Sequence, residues 1–442
     1  MINQSYPSNI TKKQILLLSI PVFFSNLAIP LVGIIDTGLM GNLGDSKYLV
    51  AISISTSFMT MIVWSFGFLR MGTVGIVAQL YGKSEYREIV KTLLRNFSIA
   101  IFASLILIFL KPLILLLIKV NFQTSTETYE LIKTYISVRL FAIPAELSIY
   151  ILIGFYLGIQ KTKISSLLIM IMSFLNIILS AYFVLTLNLH IFGVALGSLI
   201  ACYFVLILFV IYTYNFIKKK FQVLPNTSGI LDFLKFKKLL ILNLDIFVRT
   251  IILTFSFLWL TYQGSRLGED YLAVNAILLQ FIIFASFFLD AYAFSTEGII
   301  GFTIGRKNKK SFLMTVQNSI LISFFTALII SFFYLIFFKQ IVNLVTDIEI
   351  LKFIAYKHMI WILIIPPAAS FCYQYDGIFI GATQTKEMRN AMIISVASFI
   401  VLSIYLTKSL GNHGLWLSLL IFMILRTITL NLFFNNILKK FR

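Results

Sequence analysis

Long apolar runs make up most of this chain, and only a few polar or basic residues separate each run from the next. Twelve runs, at about 14–40, 48–80, 97–118, 131–157, 164–187, 191–217, 239–263, 271–304, 312–338, 350–380, 390–408 and 413–437, are long enough to cross a bilayer, which takes about 20 residues of helix. Lipid offers no water to backbone N–H and C=O groups, so a spanning segment must be a helix or a strand of a closed barrel. The runs are continuous rather than alternating, which predicts helices. Hydrophobic residues make up 59% of the chain and charged residues 12%, a balance no ordinary soluble domain has. The first run lacks a small-residue cleavage pattern and is read as a retained helix.

The net charge of +19 does not point to nucleic acid, because the basic residues are spread over short loops. Of the 36 Lys and Arg, 23 fall on one side of the alternating spans and nine on the other. Cytoplasmic loops carry such an excess, so both termini are expected in the cytoplasm. Cys202 and Cys372 both lie inside apolar runs and suggest neither a disulfide nor a metal site.

The sequence also repeats itself. "GNLGDSKYLVAI" (41–52) resembles "GSRLGEDYLAVNAI" (264–277), and "YGK" (81–83) matches "IGR" (304–306). "IPAE" (143–146) matches "PPAA" (366–369), and "YLGIQKTK" (156–163) matches "FIGATQTK" (379–386). All four pairs keep an offset near 223, which indicates duplication. Six spans per half is an even number, so both halves insert the same way, related by a pseudo-two-fold axis along the membrane normal. The expected organisation is an N-lobe at 1–217, a basic cytoplasmic linker at 218–238 containing "NTSG", and a C-lobe at 239–442. Two such lobes around a central cleft form a transporter plan.

Six carboxylates fall within spans: Asp36, Glu146, Asp245, Asp290, Glu297 and Asp376. Four arginines do also: Arg70, Arg139, Arg249 and Arg426. Each costs roughly 2.5–3.5 kcal/mol on insertion scales, so each should face protein or a water-filled cavity. Asp36 precedes the outer turn at Gly44 by eight residues, which sets it about 12 Å below that turn. A carboxylate held there out of water can bind and release a proton near neutral pH. Pro21 and Pro30 share its helix and permit kinks. Asp245 and Arg249 are spaced i,i+4 and are expected to pair, and Arg70 is expected to pin helices together. Asp290 and Glu297, seven residues apart, share a helical face and are candidates, with Asp376, for a cation-attracting cavity wall. His190, His358 and His413 lie at span ends or in loops, where structural roles are the default. Walker A and HExxH patterns are missing, and the aspartates are too scattered to hold Mg²⁺ on a lipid diphosphate. No cofactor or metal is expected, and an ion gradient is left as the energy source.

Six stretches carry a resemblance to a known family: "PLVGIIDTGLMGNL", "FLRMGTVGIVAQLYG", "SFLNIILSAYF", "AVNAILLQFIIFASFFLDAYAFSTEGIIG", "YDGIFIGATQTKEMRN" and "LGNHGLWLSLLIFMILR". Over nearly its whole length the chain resembles the multidrug and toxic compound extrusion (MATE) family in its bacterial DinF branch. The resemblance implies twelve helices in two six-helix lobes and export of amphipathic, often cationic, compounds in exchange for protons or sodium ions. It implies that Asp36 is the first-helix aspartate of an N-lobe cation site and that Asn176 is its fifth-helix partner. Ser198 stands where the family usually has threonine, and Pro21 where the first helix bends. Ser180 replaces the family's second carboxylate. Glu146, on the fourth helix, either restores that charge or does not reach the site.

The expected protein is thus a monomeric antiporter of the bacterial inner membrane, a non-enzyme whose partners are small amphipathic substrates and the bilayer. With Asp36 as the only formal charge beside Asn176, Ser180 and Ser198, protons are expected as the coupling ion and sodium is the alternative. The rival readings are a flippase of lipid-linked or anionic substrates and a membrane-embedded transferase.

Overall fold

The computed structural model describes residues 10–122, 124–223 and 232–441. Among these residues the regular structure is helical throughout, with no strand. The first half contains α1 (Lys12–Gly41), α2 (Ser46–Ser65), α3 (Phe68–Gly82), α4 (Tyr86–Phe109), α5 (Lys111–Asn121), α6 (Thr126–Gly158), α7 (Thr162–Leu185) and α8 (His190–Phe216). The second contains α9 (Phe233–Ser265), α10 (Glu269–Gly305), α11 (Lys309–Val345), α12 (Glu349–Gly381), α13 (Thr385–Leu410) and α14 (Asn412–Leu438). Twelve segments among the described residues are long and apolar enough to span a membrane. Large apolar side chains such as Phe102, Phe174, Phe332 and Leu432 lie exposed along them, as lipid-facing surfaces require.

The duplication is visible in the backbone. α12 runs from Glu349 to Gly381 and α6 from Thr126 to Gly158, a shift of 223 residues at both ends. The same shift relates the start of α2 and the end of α3 to the two ends of α10. Left-handed backbone recurs at it too: Ser84 and Lys307, Gln160 and Thr383, Asn188 and Gly411. The halves differ where the first is interrupted. α2 and α3 are separated at Phe66–Gly67, and α4 and α5 at Leu110, whereas α10 and α11 run through. Pro112 at the start of α5 explains the second interruption, since proline suits a first helical turn and not a helix interior. The third span therefore lies at 86–109 rather than 97–118. Arg87, Lys91 and Arg95 ride inside that helix, where a hydropathy reading ends the run.

The described residues form two compact units. One comprises those of Phe24–Lys238; the other comprises those of Leu239–Arg442 together with residues 10–23. The first helix is thus shared between the units, and the division falls two residues after Pro21. In the second unit Ser19 Oγ donates to Ser295 Oγ at 3.0 Å, and Asn318 Nδ2 donates to the Ile10 carbonyl at 2.9 Å. Of the expected linker, residues 224–231, including "NTSG", lie outside the described residues. At the junction of the N-lobe and the linker, Ile217–Phe221 form a π-helical turn whose Phe221 stacks on Tyr86 with ring centres 4.6 Å apart.

One contact organises each unit. Gly154 and Gly158 on α6 face α3, where a Cβ on Gly154 would meet the Arg70 carbonyl oxygen at 2.6 Å. Gly377 and Gly381 on α12, 223 positions later, face α10 in the same way, a Cβ on Gly377 meeting the Ala293 carbonyl oxygen at 2.7 Å. Small residues four apart let two helices touch backbone to backbone, which is how helices gain van der Waals contact in lipid. Pro144 and Pro367 lie inside α6 and α12, again at matched positions.

Candidate functional site

In the first unit four helices converge on one polar cluster. α1 brings Asp36; α6 brings Tyr135, Arg139 and Glu146; α7 brings Asn176 and Ser180; α8 brings Ser198 and Cys202. Asp36 is 3% exposed, and Asn176, Ser180 and Ser198 are buried with it. α8 reaches α7 here because of Gly197: a Cβ at that position would lie 2.8 Å from the Ser180 nitrogen. Ser180 is the hydrogen-bonding neighbour of Asp36, and Arg139 is the cation acting on it.

The hydrogen bonds around Asp36 have a direction. Ser180 Oγ donates to Asn176 Oδ1 at 3.3 Å, Asn176 Nδ2 donates to Ser198 Oγ at 2.8 Å, and Ser198 Oγ donates to the Val194 carbonyl at 3.2 Å. Ser180 has one hydroxyl proton. It can give that proton to Asn176 and accept one from a neutral Asp36, or turn and donate to an ionised Asp36. The long 3.3 Å bond to Asn176 makes the turn inexpensive. The relay therefore accommodates both charge states of the acid.

Glu146, for which the sequence leaves open whether it restores the missing charge or does not reach the site, is paired with Arg139 of its own helix. Its Oε1 lies 2.6 Å from Arg139 Nη2 and accepts from Cys202 Sγ at 3.6 Å. Arg139 also hydrogen-bonds Tyr135, on which Asp36 and Glu146 both act. Asp36 Oδ1, Glu146 Oε2 and Arg139 Nε are buried without a hydrogen-bond partner among the described residues. The sequence reading assigned no role to Arg139, Tyr135 or Cys202. A signal for the first two was available: 135, 139 and 146 follow the i, i+4, i+11 spacing of one helical face.

The second unit gathers its charges differently. Asp376 Oδ2 accepts from Arg249 and from Arg426, the latter at 2.7 Å. The expected Asp245–Arg249 pair is not formed. Asp245 Oδ1 lies instead 2.5 Å from Arg389 Nη1, and Thr385 Oγ1 donates to Asp245 Oδ2 at 3.3 Å. Helical spacing put the two side chains on one face of α9, but each found an opposite charge on a facing helix. Asp290 acts on Cys372 and Tyr373 together with Asp376 and Arg426. Glu297 is 1% exposed on the same helix, and its carbonyl oxygen backs onto Gly381. Arg70 sits buried on α3 at the Gly154 contact. His358 and His413 stack with ring centres 4.2 Å apart, and His413 Nδ1 accepts from Trp361 Nε1 at 3.0 Å.

Two copies of a six-span repeat, each with buried ionisable groups, define a duplicated multi-pass membrane transporter. The MatE family pattern matches residues 21–182 and again 246–407, once in each half. The chain belongs to this MatE family. It is 33% identical over 422 residues to the DNA damage-inducible protein F of Escherichia coli K12, covering 93% of this chain and 90% of that protein. It is 28% identical to Protein DETOXIFICATION 43 of Arabidopsis thaliana, over 67% of this chain and 55% of that one. Among solved structures it shares its fold with an outward-facing multidrug resistance MATE family transporter of the MOP superfamily, with a TM-score of 0.85 at 19% identity over 97% and 96% of the two chains. It shares it also with a MOP superfamily transporter from Pyrococcus furiosus described as having a binding pocket of reversed polarity, with a TM-score of 0.84 at 19% identity over 98% and 97%.

Proposed function

We propose that this chain is a proton-coupled antiporter that exports amphipathic, often cationic, organic compounds by alternating access across a bacterial inner membrane, with both termini in the cytoplasm. The observation carrying the reading is the buried Asp36 beside a Ser180–Asn176–Ser198 relay that suits either charge state. An ionised Asp36 attracts a lipophilic cation. A proton cancels that attraction, so proton and cargo compete for one charge and exchange follows. Relatives named for drug resistance lend support, among them a probable multidrug resistance protein NorM of Listeria monocytogenes, 25% identical over 172 residues.

The test is transport of a panel of fluorescent lipophilic cations into everted vesicles, under an imposed proton gradient or an imposed sodium gradient. Export driven by the proton gradient alone supports the reading. Export that needs sodium at constant pH refutes the coupling ion, and export of none of the panel refutes the substrate class.

A second reading rests on the two arginines meeting at Asp376. They suit a lipid-linked or anionic cargo. Flipping of a labelled anionic lipid, lost in Arg426→Gln and indifferent to cationic competitors, would favour it.

A further inference from the structure

The Asp36 cluster carries a cation of its own, and its placement has a consequence for what the site can bind. Asp36 and Glu146 contribute two carboxyl groups, and Asn176, Ser180 and Ser198 contribute amide and hydroxyl oxygens. Carboxylates with neutral oxygens around them are what a small hard metal cation requires in place of its water. Arg139 sits within this set. It is ion-paired to Glu146 at 2.6 Å, bonded to Tyr135 and acting on Asp36. Arg70 on α3 is a further charge nearby, which with Glu146 acts on Tyr150. Asp36 Oδ1 and Glu146 Oε2, one oxygen on each acid, are buried without partners among the described residues.

We propose that Arg139 is a specificity-determining residue: a tethered cation that supplies the balancing charge a metal ion would otherwise bring, and so restricts the cluster to protons and large organic cations. Glu146 is its holder. By engaging the guanidinium it leaves Asp36 as the exchangeable charge; without Glu146, Arg139 turns to Asp36 and neutralises it. The proposal rests on the reading of Asp36 as the exchange group. It differs from that reading in concerning metal-ion binding, which can be measured without transport.

The full-length protein in detergent is titrated with sodium chloride against choline chloride at pH 8. Sodium binding is followed by ²³Na line broadening and by thermal stability. Wild type and Arg139→Lys, which keeps the charge, should show no sodium-specific response. Arg139→Gln should acquire saturable sodium binding in the millimolar range, and Arg139→Gln with Glu146→Gln should lose it. Sodium binding by wild type overturns the proposal and the proton reading together. A folded Arg139→Gln, monodisperse and helical, that still ignores sodium overturns the proposal alone.

Should Arg139→Gln fail to fold, Glu146→Gln decides. It should weaken tetraphenylphosphonium binding at least about tenfold, the effect of losing a unit charge roughly 12 Å away at an effective protein dielectric of about 20, and more if the ligand sits closer. It should leave a neutral hydrophobic ligand within about twofold, because the change is one of charge and not of shape. Equal weakening of both ligands, as from a merely structural pair, overturns the proposal.

Discussion

Replacing Gly154 by alanine tests whether the repeated α3–α6 and α10–α12 contacts carry the architecture. A Cβ at 154 would stand 2.6 Å from the Arg70 carbonyl oxygen and 2.8 Å from Thr73 Cβ, where ordinary contact begins at 3.4 Å. The obstacle at 2.6 Å is helix backbone, so relief requires α3 and α6 to separate by most of an ångström along a buried seam. Overpacking of this kind costs about 1–3 kcal/mol. Gly377→Ala repeats the experiment in the second unit, against the Ala293 carbonyl oxygen at 2.7 Å. Gly33→Ala is the internal control. It lies on α1 with nothing within 4 Å of its Cβ, and alanine there should add about 0.5–1 kcal/mol through helix preference. The assay is thermal unfolding of the three purified variants in one detergent, read by loss of the monodisperse gel-filtration peak. Gly154→Ala and Gly377→Ala should melt several degrees below wild type, and Gly33→Ala at or above it. Melting of Gly154→Ala together with Gly33→Ala would refute the reasoning, because the seam would then have room to spare.

The other predictions concern charge. Asp36→Asn should express and fold normally, since a neutral amide is cheaper in the membrane than a carboxylate, and should abolish gradient-driven efflux in vesicles. Normal efflux by that variant removes the proposed exchange group. Asp376→Asn strands two buried guanidiniums and should cost about 3–5 kcal/mol in the same thermal assay; wild-type stability would show that Arg249 and Arg426 do not depend on it. Neutralising Asp290 and Glu297 together should weaken binding of cationic substrates more than neutral ones if both line the cavity, and an equal loss in equilibrium binding would mark a structural role instead.

What could be read from the sequence was whatever depends on neighbours along the chain. Helical spans follow from apolar length, because lipid leaves each segment to satisfy its own backbone. The repeat follows from four matched motifs, and Gly154 and Gly158 with Gly377 and Gly381 then fall at its period. Asp36 was conspicuous because a lone carboxylate in a span needs a reason to be there. Partner choice could not be read that way. The i,i+4 spacing of Asp245 and Arg249 pointed to a local pair, yet Arg389 and Asp376 claimed them from other helices. Residues 10–23 joined the second unit although they lie in the first half. Each of these was decided by which helix faces meet, because a buried charge is stabilised by the nearest opposite charge in space, and nearness in space across a bundle leaves no periodic trace in the sequence.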